Sequence, residues 1–146
     1  MFLNQFNHSQ KLAFLKLAKH VARVDDAKID SFEMETLSLM SKEMEIAVHE
    51  VDDMAYDFDK LYEKFDDSAS KNICLIELIE VAFSNGNFHL NQSRFIESLA
   101  RDFGFDAAHV KNLKEWVSSM LGLFKSAEKL INKKVTYRKV RVTSLF

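Results

Sequence analysis

Asp26-Ala27-Lys28-Ile29-Asp30-Ser31-Phe32-Glu33 and, 59 residues later, Asn85-Gly86-Asn87-Phe88-His89-Leu90-Asn91-Gln92 organise this chain. In the first stretch Asp30 stands at a helix N-cap and Glu33 closes a capping box three residues on. The two side chains then satisfy amide N–H groups that an opening helical turn leaves unpaired. Ile29 and Met34 flank the box as a hydrophobic staple. Working outward, Leu37, Met40, Met44 and Ile46 fall on Ile96, Leu99, Phe103 and Phe105 at the same offset, and Val51 and Met54 fall on Val110 and Leu113. In the second stretch Asn91 is expected to be a better N-cap than His89. Such a match predicts a helical unit that cannot bury its apolar face alone and stacks on a copy of itself.

The rest of the chain reads as helix on both sides of these turns. Leu12, Leu15, Ala18 and Ala22 share one face of a first helix over about 9–24, capped by Asn7 with Gln10 or by Ser9. A third helix is expected over about 47–65, because Val51, Met54, Phe58, Leu61 and Phe65 step by three and four. A fourth spans about 69–83, after Asp66-Asp67-Ser68. The fifth ends near Phe103-Gly104, where Gly104 suits a left-handed cap, and Asp106 caps the sixth. Val110, Leu113, Val117, Met120, Phe124, Ala127 and Ile131 carry the sixth onward, unless Gly122 divides it in two. The expected fold is all-α: a bundle of six helices, or seven if Gly122 divides the last, built from two pseudo-symmetric repeats. The domain covers 1–133, with repeats over about 10–67 and 69–128, and a basic tail over 134–146.

Composition narrows the function classes. The 146 residues include three Gly and no Pro, too few turn formers for a β-sandwich, barrel or Gly-rich phosphate loop. The single cysteine, Cys74, lies in an apolar run and is expected to be a small buried hydrophobe. No stretch reads as a signal peptide or a membrane span, so a cytoplasmic location is expected. The formal net charge of −2 conceals an asymmetry: residues 129–146 carry six basic side chains and no acid, while the acids crowd between Glu43 and Asp67. An acidic body repels phosphate backbones, so no nucleic-acid partner is expected. Two surfaces are expected to face protein partners: an acidic one with Asp52 and Asp59, and a basic one with Lys134, Arg138, Lys139 and Arg141. Their opposite charges would also serve a homodimer.

Two clusters could hold a metal. Asp25, Asp26, Asp30 and Glu33 surround one interhelical turn, an oxygen set suited to Ca²⁺ or Mg²⁺. Asp30 and Glu33 are more simply explained as caps at a helix N-terminus. His49, Asp53 and Asp57 are expected to share one helical face at i, i+4 and i+8, either as a transition-metal set or as the solvated outer face of an acidic helix. His8, His20, His89 and His109 are expected at surfaces or caps. Neither a Gly-x-Ser-x-Gly elbow nor a P-loop occurs, and no catalytic residue is assigned.

The pattern Asp-Gly-x-Ile-x-x-x-Glu between two amphipathic helices resembles the TerB-like superfamily, named for the tellurite resistance protein TerB. The same superfamily includes the N-terminal module of a membrane-anchored DnaJ-like co-chaperone. Here Ala27 replaces the Gly, and Asn85 and Gln92 replace the acids of the second copy. The similarity covers about residues 10–120. It implies a compact all-α fold of about seven helices with pseudo-twofold symmetry, a bacterial cytoplasmic protein or one in peripheral membrane association, a stress-response or metal-resistance context, metal chelation by the acidic motif, and no enzymatic activity. The leading expectation is therefore a non-enzymatic interaction or adaptor domain. A divalent-cation-binding protein using the acidic turn is the alternative, and an enzyme with an unrecognised site is the remote one.

Overall fold

The computed structural model describes residues 1–24, 29–48, 56–84, 86 and 88–136. A 3-10 turn at Leu3–Gln5 precedes six helices: α1 (His8–Arg23), α2 (Ser31–Met44), α3 (Phe58–Tyr62), α4 (Ser68–Phe83), α5 (Leu90–Asp102) and α6 (Ala107–Ile131). No strand occurs among the described residues, so the all-α expectation holds. The helix count among them is six rather than about seven.

Each long helix starts on a side chain that accepts from its first turn or on a backbone N–H returned to it. Asn7 Oδ1 accepts from Gln10 N at 2.9 Å, and Asp67 Oδ1 accepts from Ser70 N at 2.7 Å. Asp106 Oδ1 accepts from His109 N at 2.8 Å. These bonds satisfy orphan amides and fix where the chain turns into helix. At the far ends, Glu45 (φ 58°) and Gly104 (φ 93°) are left-handed, and the next amides, Ile46 N and Phe105 N, donate back to Ser41 and Ala100 carbonyls. This is the six-to-one closure of a Schellman ending.

α1 and α4 form the centre of the molecule, packed on each other and both touching α2 and α5. Their burial follows one pattern. Residues 13–15, 17–19, 21 and 22 are buried in α1, and 73–75, 77–79, 81 and 82 are buried in α4, 60 positions on. α2 and α5 bury Glu33, Leu37, Met40 and Met44 and, 59 positions on, Gln92, Ile96, Leu99 and Phe103. α3 lies on α1, and α6 lies on α4 and α5. An aromatic layer of Phe6, Phe14, Phe65, Phe103, Tyr62 and Phe58 links α1 to the α3 region, with ring centroids 5.4–6.2 Å apart.

Three expectations change. The third helix does not run from 47 to 65: Tyr56 and Asp57 are non-helical, Asp57 has the extended backbone of an N-cap, and α3 holds five residues. Val51 and Met54 lie outside the described residues. α6 runs unbroken through Gly122: one glycine costs about 1 kcal/mol, too little to end a helix whose neighbours on both sides are helix formers. The N-cap of α5 is His89, not Asn91, because Gln92 rather than a later residue turns back to the capping amide.

Candidate functional site: a buried carboxyl between two capping boxes

Glu33 and Gln92 occupy equivalent places, each the third residue of its helix, and the fold brings them together. Asp30 Oδ1 accepts from Glu33 N at 2.8 Å, and Glu33 Oε1 accepts from Asp30 N at 3.3 Å. Gln92 Oε1 accepts from His89 N at 3.4 Å. The remaining groups then meet: Gln92 Nε2 donates to Glu33 Oε2 at 3.2 Å and to the Val21 carbonyl at 3.0 Å. Glu33 is 5% exposed and Gln92 1%. α1, α2 and α5 are thus tied at one buried point.

Burial pushes the Glu33 carboxyl up to about 7, and the neighbouring Asp30 side chain adds to the rise; the Asp30 amide and Gln92 partly offset it. A carboxyl held this way takes up a proton near neutrality, where an exposed one would be ionised. Its oxygens already serve two donors. Asp30 is the N-cap beside it, while Asp25 and Asp26 lie outside the described residues. Among the described residues, no three His, Cys, Asp or Glu side chains converge as a metal-binding group.

The second metal set fares differently. His49 and Asp53 lie outside the described residues, and Asp57 is an exposed N-cap. The shared helical face that the spacing required is interrupted at Tyr56–Asp57. Of the partner-facing residues, Asp59 and Lys134 are exposed; Asp52, Arg138, Lys139 and Arg141 lie outside the described residues.

Three features were not read from the sequence. The first is a carboxyl pair on α4. Glu77 is fully buried, and its Oε1 accepts from Phe2 N at 2.8 Å and lies 3.2 Å from the Met1 ammonium, which also reaches Glu43. Glu77 Oε2 and Glu80 Oε2 are buried without another partner among the described residues. Burial and the adjacent Glu77 carboxyl push Glu80 up to about 8, so Glu80 takes up a proton near neutrality. The second is His20, expected at a surface or cap but packed between Phe58 and Phe95, with centroids 4.7 and 4.6 Å away. Burial lowers its pKa. His20 follows Leu17 by three and Ala13 by seven, a spacing that already places it beside the buried face. The third is a cleft of about 420 Å³ between α5 and the start of α6, lined by Phe105, Ala107 and Val110 with Arg101, Lys111 and Lys114. Lys114 is braced there by Glu97 Oε1 at 3.0 Å and Ser93 Oγ at 2.8 Å.

Cys74 is fully buried, and burial raises its thiol well above the usual range, as expected for a packing residue. No helix among the described residues is long and apolar enough to cross a membrane. No protein-family model, curated protein or solved structure matches the chain.

Proposed function

We propose that this chain is a TerB-like, two-repeat helical interaction domain without enzymatic activity, working in a bacterial stress-response or metal-resistance setting. The observation that carries the reading is the use made of the two motif copies. Glu33 and Gln92 each close a capping box and then bond to each other, 59 positions apart. The equal burial of α1 with α4, and of α2 with α5, supports a duplicated unit. Polar groups at the centre serve to join the halves, and recognition is left to the surface. The partner-facing surface is the acidic one around α3, where Asp57, Asp59, Glu63, Asp66 and Asp67 are all exposed. Its fit is to a basic protein surface, approached by charge steering.

A photo-crosslinking residue in place of Asp59 in the full chain tests this in the cells that make it. One discrete protein adduct is expected, lost in Glu63→Lys with Asp66→Lys while far-UV circular dichroism is unchanged. No adduct at this position overturns the reading. The cation alternative has its own readout. Saturating Ca²⁺ or Mg²⁺ at a specific site would raise the melting temperature of chelator-treated protein by roughly 8–16 °C. Loss of that rise in Asp26→Asn would replace an interaction domain with a metal-binding protein.

A further inference from the structure

α6 is longer than the body it packs on. Its 25 residues span about 37 Å. Val110, Leu113 and Val117 are buried against α4 and α5, and Met120 and Leu121 are half-buried. From Gly122 to Ile131 every residue is exposed. The apolar pattern does not stop with the packing: Leu123, Phe124, Leu130 and Ile131 are 72%, 59%, 75% and 79% exposed. At about 100° per residue these four and Ala127 share an arc of roughly 120°.

The arc is self-complementary. Counted from Ala127, large apolar residues stand at −4, −3, +3 and +4. Two such helices crossing antiparallel at Ala127 set Leu123 and Phe124 of one against Leu130 and Ile131 of the other, and the twofold axis repeats the contact. The small side chain at the crossing lets the helices approach. Charge selects the antiparallel sense. After Glu128 the sequence is basic to its end, with Lys129, Lys133, Lys134, Arg138, Lys139 and Arg141. A parallel pair would stack these charges, whereas an antiparallel pair sends each basic end toward the partner's acidic body.

We propose that the projecting half of α6 is a homodimerisation face, occupied by the same segment of a second copy in an antiparallel crossing at Ala127. The full chain should run at dimer mass in light scattering between about 1 and 100 µM. Leu123→Glu with Ile131→Glu should weaken association at least about 100-fold with the same far-UV spectrum. Ala127→Cys should oxidise to a disulfide-linked dimer, because Cys74 is fully buried, and Lys125→Cys, about 160° around the helix, should not. A monomer throughout this range overturns the proposal, as does a dimer indifferent to the double substitution. A monomer that co-sediments with phosphatidylglycerol vesicles through Leu123 makes lipid the occupant. A monomer that dimerises only after deletion of 134–146 makes the chain's own tail the occupant. Either result overturns it.

Discussion

At the scale of single residues, Glu33 and Glu80 carry the acid–base behaviour of the fold. Both carboxyls lie above their ordinary range, Glu33 at about 7 and Glu80 at about 8, and burial is the main cause in each. In the unfolded chain both release their protons near 4.5. The folded state therefore holds more protons than the unfolded state between about pH 4.5 and 8, and stability falls as pH rises through that window. His20 opposes this. Its pKa is lowered in the fold, so its contribution rises with pH up to about 6.5 and is flat above. The net decline should be clearest between pH 6.5 and 8.5. Urea unfolding of Glu33→Gln, which mimics the protonated carboxyl, should lose the part of the slope near pH 7, and Glu80→Gln the part near pH 8. Glu33→Ala should cost about 1–3 kcal/mol at any pH, because it opens the capping box and strips Gln92 of a buried acceptor. An unchanged pH profile in both glutamine variants would refute the titration argument.

At the scale of elements, the helix ends show where local chemistry decides and where it is overridden. Glu45 and Gly104 play the same left-handed role after α2 and α5, but a side chain at Glu45 pays the steric cost that glycine avoids. Glu45→Gly should stabilise the protein by about 1 kcal/mol, and Gly104→Ala should destabilise it by a similar amount. The strain at Gly104 is conformational, since a Cβ there would meet nothing within 4 Å. Gly122 is the reverse case: helical, exposed and open on all sides, so Gly122→Ala should add about 0.5–1 kcal/mol in thermal or denaturant unfolding. The caps at Asn7, Asp30, Asp67 and Asp106 were legible in the sequence, because capping depends on neighbours three residues apart. The third helix was not, because the apolar spacing from Phe58 to Phe65 fits a short helix and turn as well as a long helix. The spacing is blind to the extended backbone of Asp57 that separates them. His89 was misjudged for a related reason: residue preference favoured Asn91, and the position of Gln92 decided otherwise.

At the scale of the whole molecule, the offset between Glu33 and Gln92 could be counted in the sequence, but not that the two side chains would touch. Contact depends on α2 and α5 both lying against α1, a tertiary fact. The same limit hid the Glu77–Glu80 pair, which reads locally as two polar positions on an amphipathic helix until α2 and the N-terminus close over it. The asymmetry of the central pair, one acid facing one amide, has a consequence for the junction of α1, α2 and α5. A second carboxyl at position 92 would face Glu33 across about 3 Å in a site with no room for two charges. It would also lose the donor that now reaches the Val21 carbonyl in α1. Gln92→Glu should therefore cost about 2–4 kcal/mol at pH 8, where both carboxyls would be driven to ionise. The cost should shrink at pH 5, where one shared proton lets the two oxygens bond as the amide did. Chemical denaturation of Gln92→Glu and the wild type at the two pH values measures the difference directly. If the central pair holds α2 and α5 together on α1, the stability gap between variant and wild type is wide at pH 8 and narrows by at least half at pH 5; a gap that is small or independent of pH means the junction rests on Leu37, Ile96 and their apolar neighbours alone.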